Sequence, residues 1–582
     1  MPAAEATAKE TEFELEILRH KLASLVEEMG VVLEKSARSA AIGEGRDAAT
    51  AIGDRHGGIV AIDNPVQLGS IACTAADVLA YFKFDMKDGD VVFTSDPYRG
   101  GTHVQDVTLV APYAVDNSIL LYLVVRGHVA DVGGRYTGSY DPAARELWSE
   151  GVPITPVRIH RHGRLVSDIF TTIMLNTRKE SEVRQDVDAM LTALQLGRRR
   201  VDEIVGSFGL DVVRRGLAYA QDYAERRTRA EIAGWQDGSY GAQSSVEHDA
   251  IGGGPVTVRL EAEVAGEELL LDFSASDAQR ESFVNSSLGA TTSFAALPLL
   301  SLLGPDVPAN SGVLRPVVLR CAPGTVVNPE RPAAVGWVSH CGAQVAEATA
   351  TALRAATDDR VAPPSTAGML LLSHPADDAH AVSDFGQWVI GGASATPAHD
   401  GWGRPAPASR GAIPSVETWE STSDVRVERI ELVEDSAGAG LHRGAPATEV
   451  VLSGPADRTM TLVVAGREIP TDGVAGGNPG ATAQLTLERG AEARPAPSAL
   501  VDEHVAEPTL RIRAAAGGGY GPARERPAAA VLADVLDGLV SRAAAERDYG
   551  VALDAAGAID EQRTAELRLG TDRNPDVEGR QS

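Results

Sequence analysis

Residues 94–138 read TSDPYRGGTHVQDVTLVAPYAVDNSILLYLVVRGHVADVGGRYTG. Within them, Val107–Val115 and Ile119–Arg126 are apolar runs of strand length, separated by Asp116, Asn117 and Ser118. Two such runs joined by a short polar turn predict a β-hairpin. Antiparallel pairing sets the start of the first strand beside the end of the second. His103 and Asp106 precede the first strand, and His128 and Asp131 follow the second, so the hairpin gathers all four at its open end. Two HxxD pairs supply neutral imidazoles and carboxylates, donors that suit Zn²⁺, Mn²⁺ or Fe²⁺. The glycines around them (Gly100, Gly101, Gly127, Gly133, Gly134) permit close backbone approach. A purely structural cluster of polar loop residues uses the same donors and acceptors, so both readings stay open at this point.

Before the hairpin, Phe13, Ile17, Leu18, Leu22, Leu25, Val26, Met29 and Leu33 recur at helical spacing and predict an amphipathic helix over 12–38. A glycine-containing stretch with Asp47 follows, then an extended GGIVAI and a helix over 74–84. After the hairpin, 168–232 reads as helix, and 246–340 as strands and turns with a hairpin turning at Ala265–Gly266. Residues 391–415 read as a Pro- and Gly-rich loop, 425–515 as mostly β, and 528–546 as a helix. The expected architecture is α+β and multidomain, with mixed and antiparallel sheets and packed helices. Its parts are a metal-site domain over 1–245, a central α+β domain over 246–390, a β-rich domain with a closing helix over 391–552, and a tail over 553–582.

Composition narrows the function. The 582 residues, 43% hydrophobic and 23% charged, suffice for one or more substantial cores. The charge sum, 53 − 81 = −28, argues against a broad nucleic-acid or anionic-membrane surface. Three cysteines without a CxxC pair form no disulfide framework. Cys321 and Cys341 lie in apolar surroundings and are expected in the core. No apolar run is long enough to span a membrane, and the acidic N-terminus lacks a secretory pattern, so a cytoplasmic address is expected. No GxxxxGK[ST] supports a nucleotide site, and no GxSxG supports a serine hydrolase. The glycine-rich DSAGAGLHRGA (Asp435–Ala445) is read as a turn and AAAGGGYGPARERP as a loop. His160 and His162, in the basic turn HRHGR, are expected to be solvated.

Taken in order, DPYRGGTHVQDVTLV and RGHVADVGG resemble the signature of the hydantoinase B/oxoprolinase family, which includes N-methylhydantoinase B, caprolactamase β and acetone carboxylase-type subunits. The likeness runs from about residue 12 to about 553 and takes in FELEILRHKLASLVEEMG, NTRKESEVRQDVDAMLTALQLG, PANSGVLRPVVLRCAPGTVVNPERPAAVG, EDSAGAGLHRGA, GGNPGA and GGGYGPARERP. The resemblance implies a divalent metal held by Asp47, His103, Asp106 and His128, with Asp131 orienting an imidazole. It also implies a partner of the hydantoinase A type that binds ATP, hence a hetero-oligomer. The substrate is then a small cyclic amide (hydantoin, lactam or 5-oxoproline) or, alternatively, a ketone to be carboxylated; a non-catalytic scaffold is the third reading. Asp131 or Glu417 is the expected general base. The chain departs from the family pattern at Ala48 and Ala49, at Gln67 in PVQLGS, in GWVSHCGAQV and at Ala437. Gln67 and His340 are therefore expected to line a changed pocket.

Overall fold

The structure is a computed structural model describing residues 2–83, 85–136, 138–362, 369–375, 384–386, 391–403, 415–422, 425–454, 458–489, 492–505 and 509–569. The hairpin is present. Its strands are β4 (Asp106–Val115) and β5 (Ser118–His128), and Asp116 and Asn117 both take positive φ (51° and 59°) in the two-residue turn. That backbone suits the right-handed twist of the strands. The hairpin is the centre of a seven-stranded antiparallel sheet, completed by β1 (Ala48–Asp54), β2 (Ile59–Ile62), β3 (Val91–Thr94), β6 (Val157–Arg161) and β7 (Arg164–Leu165) in the order β2-β1-β5-β4-β3-β6-β7.

Both faces of this sheet are covered, which is why β4 and β5 are apolar runs rather than alternating strands. Leu121, Leu123 and Val125 pack into one cluster with helix α1 (Pro2–Ser36) and the helices Glu180–Phe208 and Leu210–Ile232. From the other face, Tyr122 and Val124 pack under the helix Leu68–Tyr81. Helix α1 buries Leu18, Leu22, Leu25, Val26, Met29 and Leu33, as its periodicity requires, and leaves Phe13 exposed.

The helix Leu68–Tyr81 begins six residues before the predicted start. It packs on the helix Leu288–Leu302, where Gly69 lies so close that a Cβ would fall 2.4 Å from the Ser293 amide nitrogen. This second helix was read as part of a strand region. It is buried nearly all round and carries Pro298, so its sequence has no polar face to mark a helical period. A four-stranded sheet follows: β8 (Gly238–Val246), β9 (Val256–Ala265), β10 (Glu268–Asp272) and β11 (Val317–Arg320), in the order β11-β10-β9-β8. The β9–β10 hairpin turns at Gly266–Glu267, and the sheet packs against the helices Leu288–Leu302 and Val338–Ala356.

Two antiparallel sheets of four and five strands make up the region from 369 to 513. The predicted closing helix is two helices, Ala528–Leu536 and Arg542–Tyr549, broken at Gly538, which takes φ 72°. In the expected tail, residues Glu561–Leu569 form a helix tied down by the bond from Arg568 to the Arg526 carbonyl; 570–582 lie outside the described residues. The glycine motifs are a turn at residues 434–435 and an irregular loop over 514–519, as read, but densely packed ones. Gly438, Gly444, Gly477, Gly517, Gly518 and Gly519 pack backbone against backbone, and a Cβ at any of them would meet main-chain atoms within 2.6 Å. Cys341 is buried and Cys321 partly so, and burial pushes both thiols up to about 12. His162 is exposed as expected. His160 is instead half-buried in β6, and burial lowers its pKa. No helix among the described residues is long and apolar enough to cross a membrane.

Candidate metal centre

Register brings the donors together. Asp106 is the Cα partner of His128, at the open end of the β4–β5 pair, and His128 N–H donates to the Asp47 carbonyl at 3.0 Å. His103 lies in the GGTHVQ segment that leads into β4. One donor atom from each of His103, Asp106 and His128 lies within 4.8 Å of the other two, and all three residues are buried. His103 Nε2 stands 3.2 Å from Asp106 Oδ1, and His128 Nδ1 stands 3.4 Å from the same oxygen. Asp47 Oδ2 is 3.5 Å from His128 Nδ1. The Asp47 side chain is 49% exposed, whereas His103, Asp106 and His128 are exposed by 8% or less. Asp47 thus stands on the side from which solvent reaches the cluster.

The surroundings hold these side chains in place. Thr102 Oγ1 donates to Asp106 Oδ2. Tyr140 stacks on the His128 ring, with centroids 5.9 Å apart and planes 16° off parallel, and its Oη lies 3.5 Å from His128 Nε2. Burial works to raise the Asp106 pKa, but His103 and His128 hold it well below the usual carboxylate range. For His128, burial works to lower the pKa, and the contacts with Asp106 and Asp47 carry it above the ordinary imidazole value. Tyr140 stays protonated, since burial first and the carboxylates next push its pKa far up.

Two imidazoles and one or two carboxylates, clustered and dry, are a donor set for a divalent transition metal. One further observation fits that use: His103 Nδ1 is buried with no hydrogen-bond partner among the described residues. A buried nitrogen without a partner is costly unless something else engages it.

Directly behind the cluster on the same sheet face lies Arg126, 1% exposed. Its guanidinium donates to Thr108 Oγ1 (2.8 Å), Ser70 Oγ (2.6 Å), Gln67 Oε1 (3.1 Å) and Thr74 Oγ1 (2.7 Å). Burial lowers its pKa, and the field of Asp106 and Asp47 opposes that. Arg126, Thr102 and Tyr140 were not singled out in the sequence. Arg126 shares a face of β5 with His128, two residues on, and nothing in the sequence marks Tyr140, twelve residues further in an irregular loop.

Asp131 is near His128 in sequence but faces elsewhere. It is fully buried, and its oxygens accept from Gly133 N, Gly138 N, Thr177 Oγ1, Arg178 N and Arg178 Nη1 at 2.8–3.3 Å. Five donors fill a carboxylate's lone-pair sites. Asp131 therefore clasps the 131–139 loop to the segment at 177–178, and its geometry gives no support to a role as base or as orienter of an imidazole. Glu417 is exposed in the short helix Val416–Thr422, where it accepts from Ser415 Oγ at 2.9 Å. Trp419, two residues on, packs in the core of the C-terminal sheets. Gln67 does reach the site region, through Arg126. His340 lies in the helix Val338–Ala356, and its side chain is outside the described set.

Comparison with known proteins addresses the chain as a whole. Caprolactamase subunit beta of Pseudomonas jessenii is 30% identical over 582 residues, covering 94% of this chain and 97% of that one. The crystal structure of the ATP-dependent caprolactamase from the same organism superposes with a TM-score of 0.86 at 27% identity, covering 96% of this chain and 99% of that one. An acetone carboxylase, in its nucleotide-free structure, shares the fold with a TM-score of 0.85 at 18% identity over 96% of this chain and 82% of that one. The profile of the Hydantoinase B/oxoprolinase family matches residues 11–523, and the chain belongs to that family.

Proposed function

We propose that this chain is the metal-site subunit of a two-component enzyme that opens a cyclic amide activated by ATP on a partner subunit. The observation that carries the reading is the buried convergence of His103, Asp106 and His128 at the end of β4 and β5, with Asp47 at its solvent side. The full-length likeness to a subunit of an ATP-dependent caprolactamase supports it, as does the lack of a nucleotide-binding motif in this sequence.

An unstrained amide is a poor electrophile. Transfer of a phosphoryl group from ATP to the amide oxygen, in the partner, makes an imidate-like carbon. Water adds to that carbon, the C–N bond breaks with the nitrogen leaving as an amine that takes up the proton, and a second water hydrolyses the resulting acyl phosphate to carboxylate and inorganic phosphate. Asp47, His103, Asp106 and His128 would hold a divalent cation, whose positive charge would acidify water and offset the negative charge developing on oxygen.

The protein's own contribution is to keep that donor set fixed, with His103, Asp106 and His128 buried and Asp47 at the solvent side. Asp106 stays ionised, being paired with both imidazoles. Tyr140 and Thr102 restrain His128 and Asp106, so little reorganisation is needed during reaction. Asp131 keeps the following loop closed around Tyr140's segment, a positioning task rather than a chemical one.

The test is ATP-dependent ring opening by the chain assembled with its ATP-binding partner, assayed on caprolactam, hydantoin and 5-oxoproline, with acetone and bicarbonate as the carboxylation arm. The reading requires ring opening, and a loss of at least about a hundredfold in His128→Ala with the assembly intact. Carboxylation without ring opening moves the assignment to the ketone carboxylases. Full activity in His128→Ala removes the site from the chemistry.

A further inference from the structure

Gln105 sits between the donors His103 and Asp106 in the chain and is fully buried. Its main chain and its side chain each bridge to a different segment. The Gln105 carbonyl accepts from Val107 N–H and from Val129 N–H, both at 3.0 Å. That ties the lead into β4 to the exit of β5, just past His128. Gln105 Nε2 donates to the Ser139 carbonyl at 2.7 Å. A carbonyl only accepts, so the NH₂ must face it. Gln105 Oε1 is then buried with no hydrogen-bond partner among the described residues. Burying an amide with its oxygen unpaired costs stability, so the bond to Ser139 is what sets this side chain apart from an apolar one of the same size.

That bond lands on a strained residue. Ser139 takes φ 61°, in the left-handed region that a non-glycine residue keeps only where the surrounding structure fixes it. All its polar groups are engaged. Ser139 N–H donates to the Tyr136 carbonyl at 3.0 Å, and Oγ donates to the Gly133 carbonyl at 2.9 Å and accepts from Val132 N–H at 2.8 Å. The next residue is Tyr140. Its ring centroid lies 5.9 Å from that of His128 and 6.1 Å from that of His103, so one phenol covers both imidazoles. Tyr140 Oη stands 3.5 Å from His128 Nε2. His128 Nδ1, on the other side of the ring, is 3.4 Å from Asp106 Oδ1 and 3.5 Å from Asp47 Oδ2. His128 is thereby bracketed, with the phenol at one nitrogen and the carboxylates at the other.

We propose that Gln105 is a positioning residue of the candidate metal centre, acting through the Ser139–Tyr140 peptide to hold the Tyr140 phenol against the imidazoles. Tyr140 Oη keeps the proton on His128 Nε2, and the Nδ1 lone pair is turned to the side of Asp106 and Asp47. This is the orienting task expected of Asp131, whose oxygens are spent on its own loop. The inference rests on the metal-centre reading above and deepens it. Outer partners of metal-binding imidazoles fix tautomer and ring orientation, and their loss weakens metal binding by roughly ten- to a hundredfold.

The full chain, alone and assembled with its ATP-binding partner, is titrated with Co²⁺, reading affinity and visible absorption, with melting curves alongside. Wild type is compared with Gln105→Met, Gln105→Asn, Tyr140→Phe and the Gln105→Met/Tyr140→Phe pair. Gln105→Met fills the same space without a donor, and Gln105→Asn is a methylene too short to reach Ser139. Each single variant is expected to weaken Co²⁺ binding by about tenfold or more and to shift its absorption bands. Because Gln105 acts through Tyr140, the pair is expected to lose about as much as the stronger single variant alone. Unchanged affinity and absorption in Tyr140→Phe or in the Gln105 variants, even with a lower melting temperature, make the bond merely structural and overturn the inference. Losses that multiply in the pair overturn it too, since the two residues then act independently. A wild type that takes up no Co²⁺ in either form overturns the metal-centre reading as well.

Discussion

Asp106 and Asp131 show how differently two aspartates from the same motif can be used. Each follows a histidine by three residues, and that spacing made both look like chemistry. Asp106 meets His103 and His128 in a dry cluster, whereas Asp131 spends its lone pairs on five loop donors. Sequence spacing could locate the hairpin end but not the direction of each side chain, since that direction follows from loop closure by Gly133, Gly138 and Arg178. Two predictions belong here. Asp131→Asn puts an NH₂ where a donor already points, and should lower unfolding free energy by about 1–3 kcal/mol in denaturant titration, with metal content retained. Thr102→Val removes the hydroxyl on Asp106 Oδ2 and should weaken metal binding by roughly tenfold in calorimetry, because outer groups fix the ligand's orientation. Unchanged affinity would mean that Asp106 needs no such support.

At the scale of elements, the hairpin and the N-terminal helix were legible because strong patterns encode them: two apolar runs around Asp116–Asn117, and a clean helical period. The helix Leu288–Leu302 was not, because a segment buried on all sides loses its polar face and with it the period. Its contact with the helix Leu68–Tyr81 gives a sharp test. Gly69→Ala sets a Cβ against the Ser293 backbone, and should cost about 1–3 kcal/mol and lower the melting temperature. A second element-scale device is Glu150, which ends the short helix Leu147–Glu150 and accepts from the Val335 and Gly336 amides at 2.9 and 2.5 Å. Burial first, and Asp141 as well, push its carboxyl up to about 8, against the pull of those two amides. Between the ordinary carboxylate value and about 8 the folded form keeps a proton that the unfolded form has lost. Glu150 therefore contributes stability that falls as pH rises through that window. Stability measured from pH 5 to 8 should decline less steeply in Glu150→Gln than in wild type, and an equal slope would show that Glu150 is ionised in the fold.

Over the whole molecule, the α+β class was readable from the alternation of strand and helix patterns, and the family from the order of its motifs. What stayed hidden was contact between distant segments. Two glycine motifs read separately as a turn and a loop, yet with GGNPGA they form one web in which backbones from 438–444, 473–480 and 517–519 touch. Arg126, unremarkable at a strand end, becomes the buried charge behind the centre only when the helix Leu68–Tyr81 closes over it. The central claim, that His103, Asp106 and His128 with Asp47 form a metal centre, is tested most directly by metal content. Mass spectrometry on the purified chain beside a His103→Ala/His128→Ala variant should find about one equivalent of a divalent transition metal in the first and none in the second. Absence of metal from the wild-type chain, even after reconstitution with its partner and Zn²⁺, Mn²⁺ or Fe²⁺, would contradict the account.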